Sequence, residues 1–302
     1  MGQRLSAVDG SGTLRLAGFA DEQGRRSYLD CYDAAMSLWP VPYHSQQIPT
    51  RFGSTHAVVS GPDDGPPLVL LPAAIGVGAV QWYPNVARLA DRHRVIALDF
   101  IGAPGKGTQT QPILDRHDCA TWLVDVLDAL GIDRGDVVGS SQGGWFALNL
   151  AVLVPDRAGR LALLAPAASL APFRRLVSLM LRVGPYLPAF TAKYSVQASF
   201  GRRFRPDGRF TDLATSALKH FQYQQHAVMP SVFTDTELAG VEIPVLVVIG
   251  DKELIYNPRE ALERARCTLP SAQTELMPGA GHLLNIERAD NIDRLVLDFL
   301  GR

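Results

Sequence analysis

From residue 68 onward the chain alternates between two kinds of segment, and this alternation is what most narrows its possible folds. Short apolar runs at 68–71, 95–98, 137–138, 161–164, 245–249 and 274–277 end at Gly, Pro, Asp or the turn-forming residues beside them. Longer segments with helical spacing lie between or after them, at 118–130, 144–154, 258–267 and 292–300. Gly131 stops the first of these helices, Pro155 stops the second and Pro258 opens the third. Continuous apolar strands, such as the β-branched run at 245–249, must be covered on both faces, and a parallel sheet wound between helices does this. With 302 residues, 47% of them apolar, the chain has enough material for such a core. An α/β fold is therefore expected, with a mostly parallel central sheet and helices on both faces.

Two regions depart from that rhythm. Residues 28–38 have helical spacing and are stopped by Pro40 and Pro42, so 1–44 reads as an N-terminal helical extension. Two strand-like pieces within 48–59, separated by Arg51-Phe52-Gly53, read as a hairpin, and 61–67 as a turn-rich loop. Residues 168–238 show no clear strand. Helix-like stretches at 176–181 and 213–221, interrupted by prolines, predict a helical cap inserted over one end of the sheet. The expected organisation is a core of 1–167 plus 239–302 and a cap of 168–238.

Bulk properties exclude several function classes. A formal net charge of -1 provides no field for nucleic acid or anionic lipid. Cys31, Cys119 and Cys267 are odd in number and far apart, which argues against a disulfide framework or a zinc site. No apolar run approaches the roughly 20 residues of a membrane span, and 1–10 lacks an apolar signal core. A cytoplasmic protein without membrane association is the expectation. There is no dinucleotide fingerprint, phosphate loop or metal-ligand cluster, so neither cofactor nor metal is expected; Gly102-Ala103-Pro104-Gly105-Lys106 lacks the Walker spacing.

The chemistry-bearing motif is Gly139-Ser140-Ser141-Gln142-Gly143, a G-x-S-x-G pattern where an apolar strand meets a helix. A serine hydroxyl is a poor nucleophile unless it is held in the open beside a base. His282 is the leading base, because Gly279-Ala280-Gly281 places it in a flexible loop after the last strand. The orienting acid should follow the strand at 245–249, where Asp251 and Glu253 are both available. The third position of a tight strand-end loop can curl back toward the serine, so Glu253 is preferred and Asp251 is the alternative. The chain order Ser, Glu, His suits a sheet of this type. An oxyanion needs two amide donors. The amide of Gln142, at the start of the helix, and that of Ala74, in the small-residue loop 72–78, are the candidates. Ile75, Trp82, Trp145, Met229 and Phe233 are candidates to line an apolar pocket, with ordinary core packing as the alternative for each.

With these motifs in order, the chain resembles the α/β-hydrolases, and within them bacterial carboxylesterases of the naproxen-esterase type. The similarity runs from about Tyr32 to the C-terminus. It includes Trp39-Pro40-Val41-Pro42, Thr50-Arg51-Phe52-Gly53-Ser54-Thr55-His56, Trp82-Tyr83-Pro84-Asn85, the stretch from Gly250 through Glu253 to Pro258, and Gly281-His282. The resemblance implies Ser141 as nucleophile, Glu253 as acid and His282 as base. It also implies an ester or related acyl compound as small-molecule substrate, cleaved through an acyl-enzyme without a cofactor. One departure stands out. The family usually has His-Gly where this chain has Pro72-Ala73, and Pro72 has no amide hydrogen to donate. A second is the 99–105 segment, one residue off the commoner D-x-x-G-x-G form. Two other classes stay open on that account: a triad enzyme of specialised metabolism (a thioesterase, a lactone-forming cyclase or a non-hydrolytic catalyst), and a non-catalytic binding protein on the same fold.

Overall fold

The computed structural model describes residues 14–183, 196–201 and 204–301. The N-terminal 1–13 of the expected extension, and 184–195 and 202–203 of the expected cap, lie outside the described residues.

Eleven strands follow in chain order among the described residues: β1 (Gly18–Phe19), β2 (His44–Thr50), β3 (Gly53–Ser60), β4 (Pro67–Leu71), β5 (Arg94–Leu98), β6 (Thr108–Gln109), β7 (Gly135–Ser140), β8 (Ala158–Leu164), β9 (Phe221–Gln222), β10 (Val245–Gly250) and β11 (Ala272–Met277). The main sheet has the order β11-β10-β8-β7-β4-β5-β3-β2, with β6 also paired to β3. From β11 to β5 every pairing is parallel; β3 joins β5 antiparallel and forms with β2 the hairpin expected around Arg51-Phe52-Gly53. This is the α/β-hydrolase arrangement, a mostly parallel sheet between helices.

Alternation along each strand divides the core in two. Val69 and Leu71 of β4 and Val245, Val247 and Ile249 of β10 belong to one buried cluster, while Leu68, Leu70, Leu246 and Val248 belong to the other. Successive side chains of a strand point to opposite faces, so a strand buried on both sides must be apolar throughout. Helices close each cluster. Asp115 caps Arg116–Ala129 by accepting from the amides of His117 and Asp118, and Asn257 does the same for Pro258–Thr268 with Pro258 in its first turn.

The N-terminal helix Glu22–Met36 packs on the helix Gly208–His220. Ala20 N donates to His220 O at 2.9 Å and Arg209 donates to the Ser37 hydroxyl at 2.7 Å. One element here was not expected. β9 lies in the stretch read as purely helical and pairs antiparallel with β1, Gly18 opposite Gln222 and Phe19 opposite Phe221. Two residues carry no periodicity, so such a strand exists only through its distant partner.

The topology also positions the site. From β4 the chain passes to β5 on one side, then returns to β7 on the other side of β4. The loops leaving the carboxyl ends of β4 and β7 therefore lie side by side, at the switch point where open α/β sheets place ligands.

Candidate active site

Ser141 stands between the end of β7 and the helix Gln142–Leu153, with φ 53° and ψ -114°. A side-chain-bearing residue held there costs about 1–3 kcal/mol of local strain. The two flanking glycines follow from close backbone approach. A Cβ on Gly143 would run into the Leu71 carbonyl oxygen, and one on Gly139 into the carbonyl of Gly143. Neighbouring strand ends hold the turn: Ser141 N donates to Leu164 O at 2.9 Å, and Ala167 N donates to Ser141 O at 2.9 Å.

His282 follows β11 in a loop fixed by three hydrogen bonds. The amides of His282 and Leu283 both donate to Ser199 O, at 3.0 and 3.1 Å, and Gly281 N donates to the carboxylate of Glu287 at 3.0 Å. Burial pushes the Glu287 carboxyl above its ordinary value, against the amide hydrogen bonds that favour its charge. In this setting the Ser141 hydroxyl donates to His282 Nε2 at 2.7 Å, and Nδ1–H donates to Glu253 Oε2 at 2.6 Å. The other oxygen of Glu253 accepts the amide of Ile255 at 2.9 Å. All three side chains are buried, Glu253 most completely at 2% exposure. Asp251, the alternative acid, accepts Gly279 N at 2.7 Å and pairs with Lys252 at 3.2 Å; it braces the loop that leads to His282.

The loop after β4 meets the serine turn through a hydrogen bond from Gly143 N to Pro72 O, 3.0 Å long. Its own donors are distributed unevenly. Pro72 has none, and the Ala73 amide is bound at 2.6 Å by Gln81 Oε1. The amides of Ala74 and Gln142 donate to no group among the described residues. Farther along, the Tyr28 hydroxyl donates to Gly76 O at 3.0 Å and Ala79 N donates to Asp99 at 2.8 Å. Asp99 also accepts from the Tyr32 hydroxyl, from His56 Nδ1 and from Lys106 N, which joins the N-terminal helix and the 102–106 loop to the same anchor. Burial first, and the Asp99 charge second, push the Tyr32 hydroxyl well above its ordinary pKa. Gln81 and Glu287, and the anchoring role of Asp99, were not visible in the sequence because a polar residue's burial depends on segments far away in the chain.

The five pocket candidates do not converge. Trp82 belongs to one core cluster, and Trp145 with Phe233 to the other, ring centroids 5.9 Å apart. These three are buried at 1–2% exposure, packed within those clusters. Ile75 is half-buried and Met229 is exposed. A cavity of about 600 Å³ lies elsewhere, between the N-terminal segment and the 102–109 loop, and none of the five lines it.

Comparison with known proteins adds the lineage. The model of the alpha/beta hydrolase family matches residues 68–295. The chain belongs to that family. Among α/β-hydrolases of known sequence it is 34% identical over 281 residues to the uncharacterised carboxylesterase nap of Bacillus subtilis strain 168, covering 90% of this chain and 91% of that one. It is 32% identical over 291 residues to carboxylesterase YbfK of the same strain, covering 93% and 95%. Among solved structures, naproxen esterase (carboxylesterase NP) from Bacillus subtilis superimposes with a TM-score of 0.86 at 32% identity, covering 93% of this hydrolase and 99% of that chain. Among the described residues no helix is long and apolar enough to cross a membrane.

Proposed function

We propose that this α/β-hydrolase is a serine carboxylesterase. Ser141 Oγ attacks the carbonyl carbon of a small, apolar ester while His282 Nε2 takes the hydroxyl proton. The resulting imidazolium is held and oriented by Glu253. The amides of Gln142 and Ala74 receive the oxyanion, and the helix behind Gln142 adds its dipole. His282 then gives the proton to the leaving alcohol, and the acyl-enzyme is resolved by water activated at the same nitrogen. The stretch 168–238 acts as the cap over this site, since its Ser199 carbonyl holds the His282 loop.

The observation that supports this reading most is the continuous path from the Ser141 hydroxyl through His282 to Glu253, with contacts of 2.7 and 2.6 Å and a strained serine at its head. The kinship with Bacillus carboxylesterases supports ester hydrolysis as the reaction. The test pairs the protein with its Ser141→Ala variant, a fluorophosphonate probe and short p-nitrophenyl esters. Labelling and turnover in the parent, both lost in the variant, are expected. A parent that is neither labelled nor active would refute the catalytic assignment, and labelling without turnover would refute its hydrolytic half.

A further inference from the structure

Gln81 lies ten residues after Leu71 and four before Asn85, in a segment whose sequence gives it no special role. In the fold it is fully buried and joins a chain of hydrogen bonds running in one direction. Ala73 N–H donates to Gln81 Oε1 at 2.6 Å, and Gln81 Nε2 donates to Asn285 Oδ1 at 3.2 Å. Asn285 Nδ2 donates to Asn85 Oδ1 at 3.2 Å, and Asn85 Nδ2 donates to Asp293 Oδ1 at 2.7 Å. Asn85 Nδ2 also reaches the Asn285 carbonyl at 3.1 Å. All four side chains are at most 2% exposed. The four bonds from Ala73 to Asp293 run one way, each donor on the side away from the carboxyl group, and chains of this kind strengthen cooperatively.

Two members of the chain are close in sequence to the reacting groups. Ala73 immediately precedes Ala74 in the loop facing Ser141, and Asn285 comes three residues after His282. The Pro72-Ala73 pair makes the attachment consequential. Without a donor at Pro72, the loop has Ala73 N–H and Ala74 N–H to offer, and Gln81 occupies the first. Holding the Ala73 amide limits rotation of the backbone just ahead of Ala74. We propose that Gln81 is a positioning residue for the oxyanion hole: by binding the Ala73 amide and anchoring through Asn285 to the His282 segment, it aims the Ala74 amide at the oxyanion and fixes its distance from the base. The inference rests on the reading of Ala74 as an oxyanion donor in a serine esterase.

The test uses Gln81→Met, which keeps side-chain length and removes the carboxamide, and Gln81→Glu, which keeps an acceptor for Ala73. Turnover of a p-nitrophenyl ester is divided by the number of sites that a fluorophosphonate titrates, so misfolded protein drops out of the comparison. Misplacing a preorganised donor by about 1 Å costs on the order of 100-fold. Gln81→Met is therefore expected to lower kcat per titrated site by about 10- to 100-fold with KM within about twofold. It should weaken an alkylboronic acid, which forms a tetrahedral adduct on the serine, by a similar factor, and Gln81→Glu should recover part of both. Unchanged kcat per site in Gln81→Met, or equal losses in the two variants, would overturn the inference while leaving the esterase reading intact. A parent protein without turnover or labelling would overturn the esterase reading instead.

Discussion

Replacing Glu253 with Gln separates the two acids that follow β10, and the structure sets how large the effect should be. Glu253 is an acceptor at both oxygens: Oε1 takes the Ile255 amide at 2.9 Å and Oε2 takes His282 Nδ1–H at 2.6 Å. A glutamine has one acceptor and one donor end. If its oxygen stays with Ile255, its NH2 faces Nδ1, and the imidazole must carry its hydrogen on Nε2, where it can no longer accept the Ser141 proton. If the amide flips, the NH2 meets the Ile255 N–H, which leaves buried polar groups unpaired at about 1–3 kcal/mol. Either orientation also removes the negative charge that stabilises the imidazolium, and a hydrogen bond to a charged group is worth about 1.5–3 kcal/mol. Together these amount to roughly 3–6 kcal/mol of barrier, or about 10²- to 10⁴-fold in rate. Asp251→Asn keeps an acceptor for Gly279 N and loses only an exposed pairing with Lys252, so its effect should stay within about threefold. The assay is kcat/KM on a p-nitrophenyl ester, normalised by fluorophosphonate titration. A larger loss in Asp251→Asn than in Glu253→Gln would refute the reasoning.

Two further outcomes concern stability. Gly143→Ala should lower the melting temperature although it places alanine in a helix, because the new methyl has to displace the Leu71 carbonyl; overpacking of this kind costs about 1–3 kcal/mol, against about 1 kcal/mol gained in helix propensity. Thermal unfolding gives the sign directly, and a higher melting temperature would show that the turn relaxes freely. Asp293 is pushed by burial up to about 7 despite the Asn85 hydrogen bond and the nearby Arg88, with Asp290 adding to the rise. Between about pH 4 and pH 7 the folded form therefore binds more protons at this group than the unfolded chain does. Its contribution weakens as pH rises through that window, by at most about 1.4 kcal/mol per unit, and levels off above it. Asp293→Asn should flatten the fall in melting temperature between pH 5 and pH 8, and parallel curves for the two proteins would contradict the assignment.

The parallel sheet and most of its strands were legible because their causes are local. A strand such as β10 is apolar at nearly every position, and Pro155, Pro258 and Gly131 punctuate helices through their own backbone chemistry. The serine turn was legible for the same reason: the glycines at 139 and 143 are demanded by a backbone approach that small residues alone permit. The packing of the large apolar side chains was not. Trp82, Trp145 and Phe233 look alike as apolar residues near the expected site, and only packing sends them into two separate cores.

What the sequence determined by itself is thus a parallel α/β scaffold with a G-x-S-x-G turn after one strand, two carboxylates after another and a histidine loop after a third. Tertiary structure decided the rest. It turned Glu253 to the imidazole and Asp251 to Gly279, paired β1 with β9 across two hundred residues, and drew Gln81, Asn85, Asn285 and Asp293 into one buried line. The physical reason is shared: a hydrogen bond between groups distant in the chain leaves no periodicity or spacing behind, and for the buried line it becomes necessary only when the fold has removed water from both partners.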